Sequence, residues 1–216
     1  MSMRPVRVLG VLGLAVASFL VLPGSASSAA PTSVSVPISG AVMTVNGTAT
    51  NFPAAPGAVL TGTYDPDTGA FSGTLDLPAL GQTGTTSLGE GFALTFAPVS
   101  APVTGSIPQT GSGTLGTVGW VVGVGLTGPS YVISDCTVTI APMTFTATFD
   151  AGAGSLVLMS NGYPIPAPVC TGAGGSFDES DVQSALAIPT TATQLVLFSS
   201  DASALRPGPT RPNFTG

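Results

Sequence analysis

The sequence predicts an all-β fold: a single-domain antiparallel β-sandwich, or its barrel-like variant, with one disulfide and at most one short helix. Three observations lead there. Apolar residues recur with a period of two in short runs. Gly and Pro, 29 and 20 among 216 residues, punctuate those runs, and only 6% of the chain is charged, so the usual surface of helices is missing. Two cysteines, Cys136 and Cys170, supply the expected bridge.

Taken in order, the chain begins with Arg4 and Arg7 before an uncharged, mostly apolar run from Val8 to Leu22, then Pro23, Gly24 and the small residues Ser25 to Ala30. That is the layout of a secretory signal peptide, cut after Ala29 or Ala30. The apolar run is shorter than the roughly 20 residues a membrane-spanning helix needs. No cysteine follows it, so a lipoprotein attachment signal is absent. The expected division is a removed leader over 1–30, a β-domain over 31–205, and a disordered tail over 206–216 carrying Pro207, Pro209 and Pro212.

Several runs can be read for facing. Val34, Val36 and Ile38 alternate with small or polar neighbours, and Phe71, Gly73, Leu75 and Leu77 alternate with Ser72, Thr74 and Asp76. Phe92, Leu94 and Phe96 share a face, as do Cys136, Val138 and Ile140, and Met143, Phe145, Ala147 and Phe149. Leu195 to Phe198 is continuously apolar and suits a strand buried on both sides. The one helical signal runs from Asp178 to Ala187, with Ser180 placed to cap a turn carrying Val182, Ala185 and Leu186.

Two segments resemble each other. Thr61-Gly62-Thr63-Tyr64-Asp65 and Thr146-Ala147-Thr148-Phe149-Asp150 share three identities, and the same offset pairs Gly69 with Gly154 and Phe71 with Leu156. Both read as a β-hairpin with an inward aromatic just before an acidic turn. Two related halves and two ordinary hairpins drawn from a restricted alphabet both explain the likeness. Placement and geometry of the turns separate the two. A further oddity lies between Thr117 and Leu126, where Val118, Trp120, Val122, Val124 and Leu126 alternate with Gly119, Gly123 and Gly125. A glycine face implies close approach by a ring, backbone or ligand, or a central strand covered by large side chains.

Charge excludes more than it identifies. Between the leader and Arg206 there is no Lys, Arg or His, so with the leader gone ten acids stand against Arg206 and Arg211, a net charge of −8. Without a basic patch there is nothing to neutralise phosphates, so no nucleic-acid binding is expected. Without imidazole or ammonium groups, Ser–His and Ser–Lys nucleophiles are excluded and zinc loses its commonest ligand. The lack of lysine beside abundant Ala, Gly, Val, Pro and Thr points to a GC-rich bacterial genome.

Candidate sites are correspondingly few. Asp65-Pro66-Asp67-Thr68-Gly69 spaces two carboxylates as calcium loops do, but the twelfth position is Asp76 within a strand, and turn chemistry explains the same residues. Asp178, Glu179 and Asp181 are the densest acidic cluster, a second calcium candidate or a helix start favoured by the helix dipole. No other cofactor is expected. A glycoside hydrolase needs only a pair of carboxylates, for which Glu90 with Asp76, Asp135 or Asp150 is the candidate pair, with Trp120, Tyr64, Tyr131 or Tyr163 as sugar platforms. Ile107-Pro108-Gln109-Thr110-Gly111 resembles a sortase signal but lies mid-chain and reads as a loop, and Asn46-Gly47 reads as a turn.

The sequence therefore leads to a secreted, non-enzymatic module of the bacterial extracellular space or cell envelope. It has no transmembrane segment once the leader is removed, and its partner is an envelope component or a small apolar ligand held between sheets. A carboxylate-pair hydrolase and an oligomeric envelope protein are the alternatives.

Overall fold

The computed structural model describes residues 30–53, 57–85, 89, 91–127, 132–171 and 179–207. Its strands are β1 (Thr32–Pro37), β2 (Gly40–Val45), β3 (Thr48–Pro53), β4 (Val59–Tyr64), β5 (Ala70–Leu77), β6 (Leu80–Thr85), β7 (Gly91–Phe96), β8 (Val99–Ser106), β9 (Ser112–Thr127), β10 (Val132–Asp150), β11 (Ser155–Asn161), β12 (Val169–Cys170) and β13 (Thr193–Ser199). One helix, α1 (Glu179–Leu186), and a 3-10 turn at Ser203–Leu205 complete the described elements. The fold is all-β and antiparallel, and Cys136 is bonded to Cys170, which it faces across the β10–β12 pair.

All strands belong to one curled sheet, the barrel-like form of the expectation, in the order β1-β4-β5-β8-β9-β10-β11-β13-β2-β3. The curl brings the sheet back on itself through a single bent strand. At the β1–β2 junction, Ile38 N–H donates to the Ala58 carbonyl beside β4, while Ser39 N–H donates to the Phe198 carbonyl of β13. Val36, Leu60, Leu75, Leu115, Phe145, Leu156, Leu195 and Leu197 fill the interior, each at most 2% exposed. Fully burying side chains of this kind contributes roughly 1.5–3 kcal/mol apiece.

The long β9–β10 hairpin is bent rather than straight. Its register shifts between Ile140 and Met143 and again between Met143 and Phe145. The physical cause is visible in the parity of the inward residues, Cys136, Val138 and Ile140 on one side of Pro142 and Met143, Phe145, Ala147 and Phe149 on the other. An extra residue in one strand of a pair bends it. The bend lets one half of the hairpin pair with β8 and β11 while the other half pairs with β7 and β12.

The two similar hairpins occupy corresponding places. β1-β4-β5-β8 and the first part of β9, the second part of β10, β11 and β13 are each four neighbouring strands in chain order, with β4–β5 and β10–β11 at their centres. The turns match in detail. Gly69 N–H donates to the Asp65 carbonyl at 2.8 Å and Gly154 N–H to the Asp150 carbonyl at 2.7 Å, with φ of 73° and 69° at the two glycines. The residues that follow β8 and β13 repeat a further bond, Ile107 N–H to the Gly69 carbonyl and Ala202 N–H to the Gly154 carbonyl. Both turns lie at the same end of the curl, since Pro108 packs against Gly113 and Ser112 pairs with Thr148. This is the placement expected of two related halves.

The structure decides three local expectations. β13 is central but not buried on both sides: Leu195 and Leu197 point inward, whereas Phe198 is 39% exposed on the outer face. Its ring lies over Gly40 of the adjacent β2, where a Cβ would collide with it, so an aromatic covers a strand glycine. On the glycine face of β9, the close approach is by backbone and it occurs at Gly119. A Cβ at Gly119 would press on the Ile140 carbonyl and Pro142, and one at Gly123 would touch Thr95 in ordinary contact. Gly123 sits outward between Thr95 of β7 and Thr137 of β10, while Val118, Trp120, Val122, Val124 and Leu126 are buried on the inner face. Ser180 lies within the described helix Glu179–Leu186 rather than before it. Asp178 lies outside the described residues, as do residues 1–29 of the predicted leader over 1–30 and residues 208–216 of the predicted tail over 206–216.

Candidate functional site: an apolar cavity between two hairpins

At the end of the curl away from the acidic turns, the β2–β3 hairpin faces the β7, β9 and β10 strands across a cavity of about 450 Å³. Period-2 alternation builds its walls. Met43 and Val45 of β2 and Thr48, Thr50 and Phe52 of β3 line one side, and Phe92, Leu94 and Phe96 of β7 line the other with Val122, Val124, Val138 and Ile140. The end of α1 and the residues after it, Ala185 to Ile188, close a third side together with Ile165. The volume lies within the roughly 300–1,000 Å³ of small-molecule sites, which are concave and mostly apolar with few polar groups.

The cavity has a sealed inner end and a more polar outer one. Phe52 and Phe96 meet edge to face at 5.0 Å, and Phe96 meets Trp120 in the same manner at 5.5 Å. Such pairs are favourable because the ring edge of one meets the ring face of the other. Trp120 is buried, and behind it with Phe52 lies a void of only about 20 Å³. Toward the outside, Asn46, Thr48, Thr85 and Ala187 are exposed, and Phe92, Leu94 and Thr50 are half-buried.

The chain holds this rim in place. Asn46 and Gly47 turn β2 into β3 with φ of 49° and 82°, both in the left-handed region that a tight hairpin of this kind requires. The Asn46 amide Nδ2 donates to the Ala187 carbonyl at 2.6 Å and its Oδ1 accepts from the Thr190 hydroxyl at 2.6 Å. The hairpin tip is thereby tied to the segment leaving α1. The helix is tied in turn to the disulfide, since the Cys170 backbone N–H donates to Glu179 Oε1 at 3.2 Å.

The acidic candidates lie elsewhere and do different work. Asp65 caps its own turn, accepting the Asp67 N–H at 2.9 Å on Oδ1 and the Thr68 hydroxyl at 2.8 Å on Oδ2. The Thr68 hydroxyl, with the Asp67 N–H, holds the Asp65 carboxyl below the usual carboxylate range. Asp150 accepts the Ala153 N–H at 2.9 Å in the matching turn, and Asp201 accepts the Ser203 hydroxyl. Asp67 and Asp181 sit on the turn and on the helix. Among the described residues no three His, Cys, Asp or Glu side chains form a group able to hold a metal ion. Asp76 lies on β5, paired with Val59 and Ser100, and Asp135 is exposed on β10. The structure therefore does not gather Asp76, Asp135 and Asp150, and Glu90, their proposed partner, lies outside the described residues along with Tyr131. Trp120, Tyr64 and Tyr163 are buried in the core rather than lining a cleft for sugar.

Tyr64 has a structural role at the turn end. Its hydroxyl donates to the Ile107 carbonyl at 2.8 Å and accepts from Gln109 Nε2 at 2.6 Å, while the same Nε2 donates to the Leu205 carbonyl at 2.7 Å. The sortase-like segment is thus a loop that fastens β8–β9 to the end of the domain. Burial raises the Tyr64 hydroxyl pKa, and it raises that of Tyr163 further. Among the described residues no helix is long and apolar enough to cross a membrane.

The sequence allows a small apolar ligand between sheets but does not show where, because the cavity's walls come from strands far apart in the chain. Phe92, Leu94 and Phe96 were legible as one face, but β3 was not legible as a strand, since Thr48 and Thr50 break its inward apolar pattern. That interruption on a face ending in Phe52 was the available signal. Comparison with known proteins finds no match: no family model, no curated protein and no solved structure is significantly similar to the chain.

Proposed function

We propose that this is a secreted, non-enzymatic binding protein of the bacterial extracellular space or envelope, which holds one small apolar molecule in the cavity between the β2–β3 hairpin and β7, β9 and β10. The observation that carries the reading is the cavity itself, about 450 Å³ walled by Phe, Leu, Val, Ile and Met side chains within a small β-domain. Close-packed interiors contain few voids larger than a water molecule, so a space of this size calls for an occupant. The leader-like start, the disulfide and the lack of any Lys, Arg or His from residue 31 to residue 205 support an exported carrier or sensor over a phosphate- or nucleic-acid-handling protein.

The test is titration of the purified protein with the neutral apolar dye N-phenyl-1-naphthylamine. Saturable, one-to-one fluorescence enhancement is expected, and Leu94→Trp, which puts a large ring into the cavity from a half-buried position, should remove it while leaving the melting temperature close to wild type. Absence of saturable binding, or binding that persists in a folded Leu94→Trp variant, sinks the proposal.

A further inference from the structure

We infer that the molecule bound in this cavity is an uncharged amphiphile, an apolar body ending in a hydroxyl, ketone or ester group that sits among Thr48, Thr50 and Thr85. The inference rests on the cavity being a binding site and adds the chemical class of its occupant. Two independent observations define the class.

The first is electrostatic. Among the described residues no charged side chain lines the cavity. From residue 31 to residue 205 the sequence holds no Lys, Arg or His, so no part of the β-domain can bring a cation to the site. Arg206 is fixed at the opposite end, its Nη2 donating to the Gly152 carbonyl at 2.9 Å beside the β10–β11 turn. An ionised carboxylate, sulfate or phosphate at the rim would find no countercharge to hold it in a domain whose charges are all negative, and drawn deeper into the cavity it would lose its hydration as well. Free fatty acids and phospholipid headgroups are thereby disfavoured.

The second is the distribution of polar groups. The polar lining residues are Asn46, Thr48, Thr50 and Thr85, and the rest of the wall is apolar. Asn46 already uses both its amide nitrogen and its oxygen within the protein. The hydroxyls of Thr48, Thr50 and Thr85 make no hydrogen bond within the described residues. A hydroxyl both donates and accepts, so three of them on the walls suit a single neutral oxygen function on the ligand. Phe52 and Phe96 at the inner end offer only carbon surface to the remainder.

The experiment compares 1-dodecanol with dodecanoate at pH 8, each titrated into the purified protein and followed by calorimetry and by fluorescence of Trp120, the only tryptophan. Dodecanol is expected to bind at least tenfold more tightly than dodecanoate. Thr50→Val keeps the shape of the side chain and removes its hydroxyl, and it should weaken dodecanol about threefold to tenfold, the worth of one hydrogen bond. Equal or tighter binding of dodecanoate overturns the inference and leaves the cavity reading intact. Unchanged dodecanol affinity in Thr50→Val and in the triple Thr48→Val, Thr50→Val, Thr85→Val variant also overturns it. Failure of the dye and both lipids to bind removes the cavity reading itself.

Discussion

The β4–β5 and β10–β11 hairpins turn at the same end of the curl through the same five-residue arrangement, Asp65 to Gly69 in one and Asp150 to Gly154 in the other, yet they are fastened differently. In the first, Tyr64 precedes the turn and its hydroxyl reaches the Ile107 carbonyl and Gln109. In the second, Phe149 stands in that place with no hydroxyl, and Arg206 binds the turn from outside. The connections that follow also differ: β5 leads into the β6–β7 hairpin, while β11 leads into β12, the disulfide and α1. These unlike connections supply two walls of the cavity, β7 and the end of α1. A repeated frame with unequal insertions thus produces an enclosed space that neither half contains alone.

The largest expected break in this comparison comes from the staple present in the second half only. Cys136 and Cys170 are 34 positions apart, and opening a loop of that length costs about 3–4 kcal/mol in a chain-entropy estimate. Cys136→Ala with Cys170→Ala should lower stability by that amount in urea unfolding and weaken dye binding, because α1 is held to Cys170 through Glu179. Dye binding at wild-type strength would show that α1 keeps its place without the bridge.

Next in size is a pair of equivalent substitutions. Gly69 and Gly154 share a left-handed conformation, which costs a side-chain-bearing residue roughly 1–2 kcal/mol. Their surroundings differ. A Cβ at Gly69 would come within 3.0 Å of Pro108 Cα and 3.1 Å of the Ile107 carbonyl oxygen, both backbone, while one at Gly154 would meet the end of the flexible Arg206 side chain at 2.8 Å. Gly69→Ala should therefore destabilise more than Gly154→Ala. Equal losses, measured by thermal unfolding of both variants, would mean that backbone conformation alone governs the two sites.

Tyr64→Phe makes the first hairpin resemble the second and should cost about 1 kcal/mol, the net worth of a hydrogen bond. Gln109→Leu should cost a similar amount, and the double variant less than the sum, because both act on one network. Strict additivity would contradict the shared network.

How far the fold was legible follows from where period-2 signals survive. The hairpins 61–71 and 146–156, the disulfide and the helical turn after Asp178 were readable because each is declared by local chemistry. The strand from Val132 to Asp150 appeared as two faces of opposite parity, and only the paired strand β9 shows that a bulge near Pro142 joins them. Leu195 to Phe198 has no polar residue to mark its outer side, so its single buried face was invisible. The calcium and hydrolase candidates rest on residue type and on spacing along the chain, whereas hydrogen bonding assigns Asp65 and Asp150 to turns. The cavity depends on the closure of the sheet through Ile38 and Ser39 and on pairings many residues apart, information that no short window contains.

The smallest expected effect concerns acid. Asp65 is held below its ordinary pKa by the Thr68 hydroxyl and the Asp67 N–H, so its folded-state value lies beneath its unfolded one. A carboxylate of this kind contributes stability that is fully present above the unfolded value of about 4 and disappears as pH falls through the folded value. The difference in melting temperature between wild type and Asp65→Ala should thus be constant at neutral pH and shrink on acidification. Thr68→Val retains the carboxylate but removes its strongest partner, so it should leave the onset near the unfolded value, make the loss smaller and complete it at higher pH. A wild-type to Asp65→Ala difference that stays the same from pH 7 down to about pH 2 would mean that the Asp65 turn is held by its backbone bond from Gly69 to the Asp65 carbonyl, the bond that the β10–β11 turn also makes.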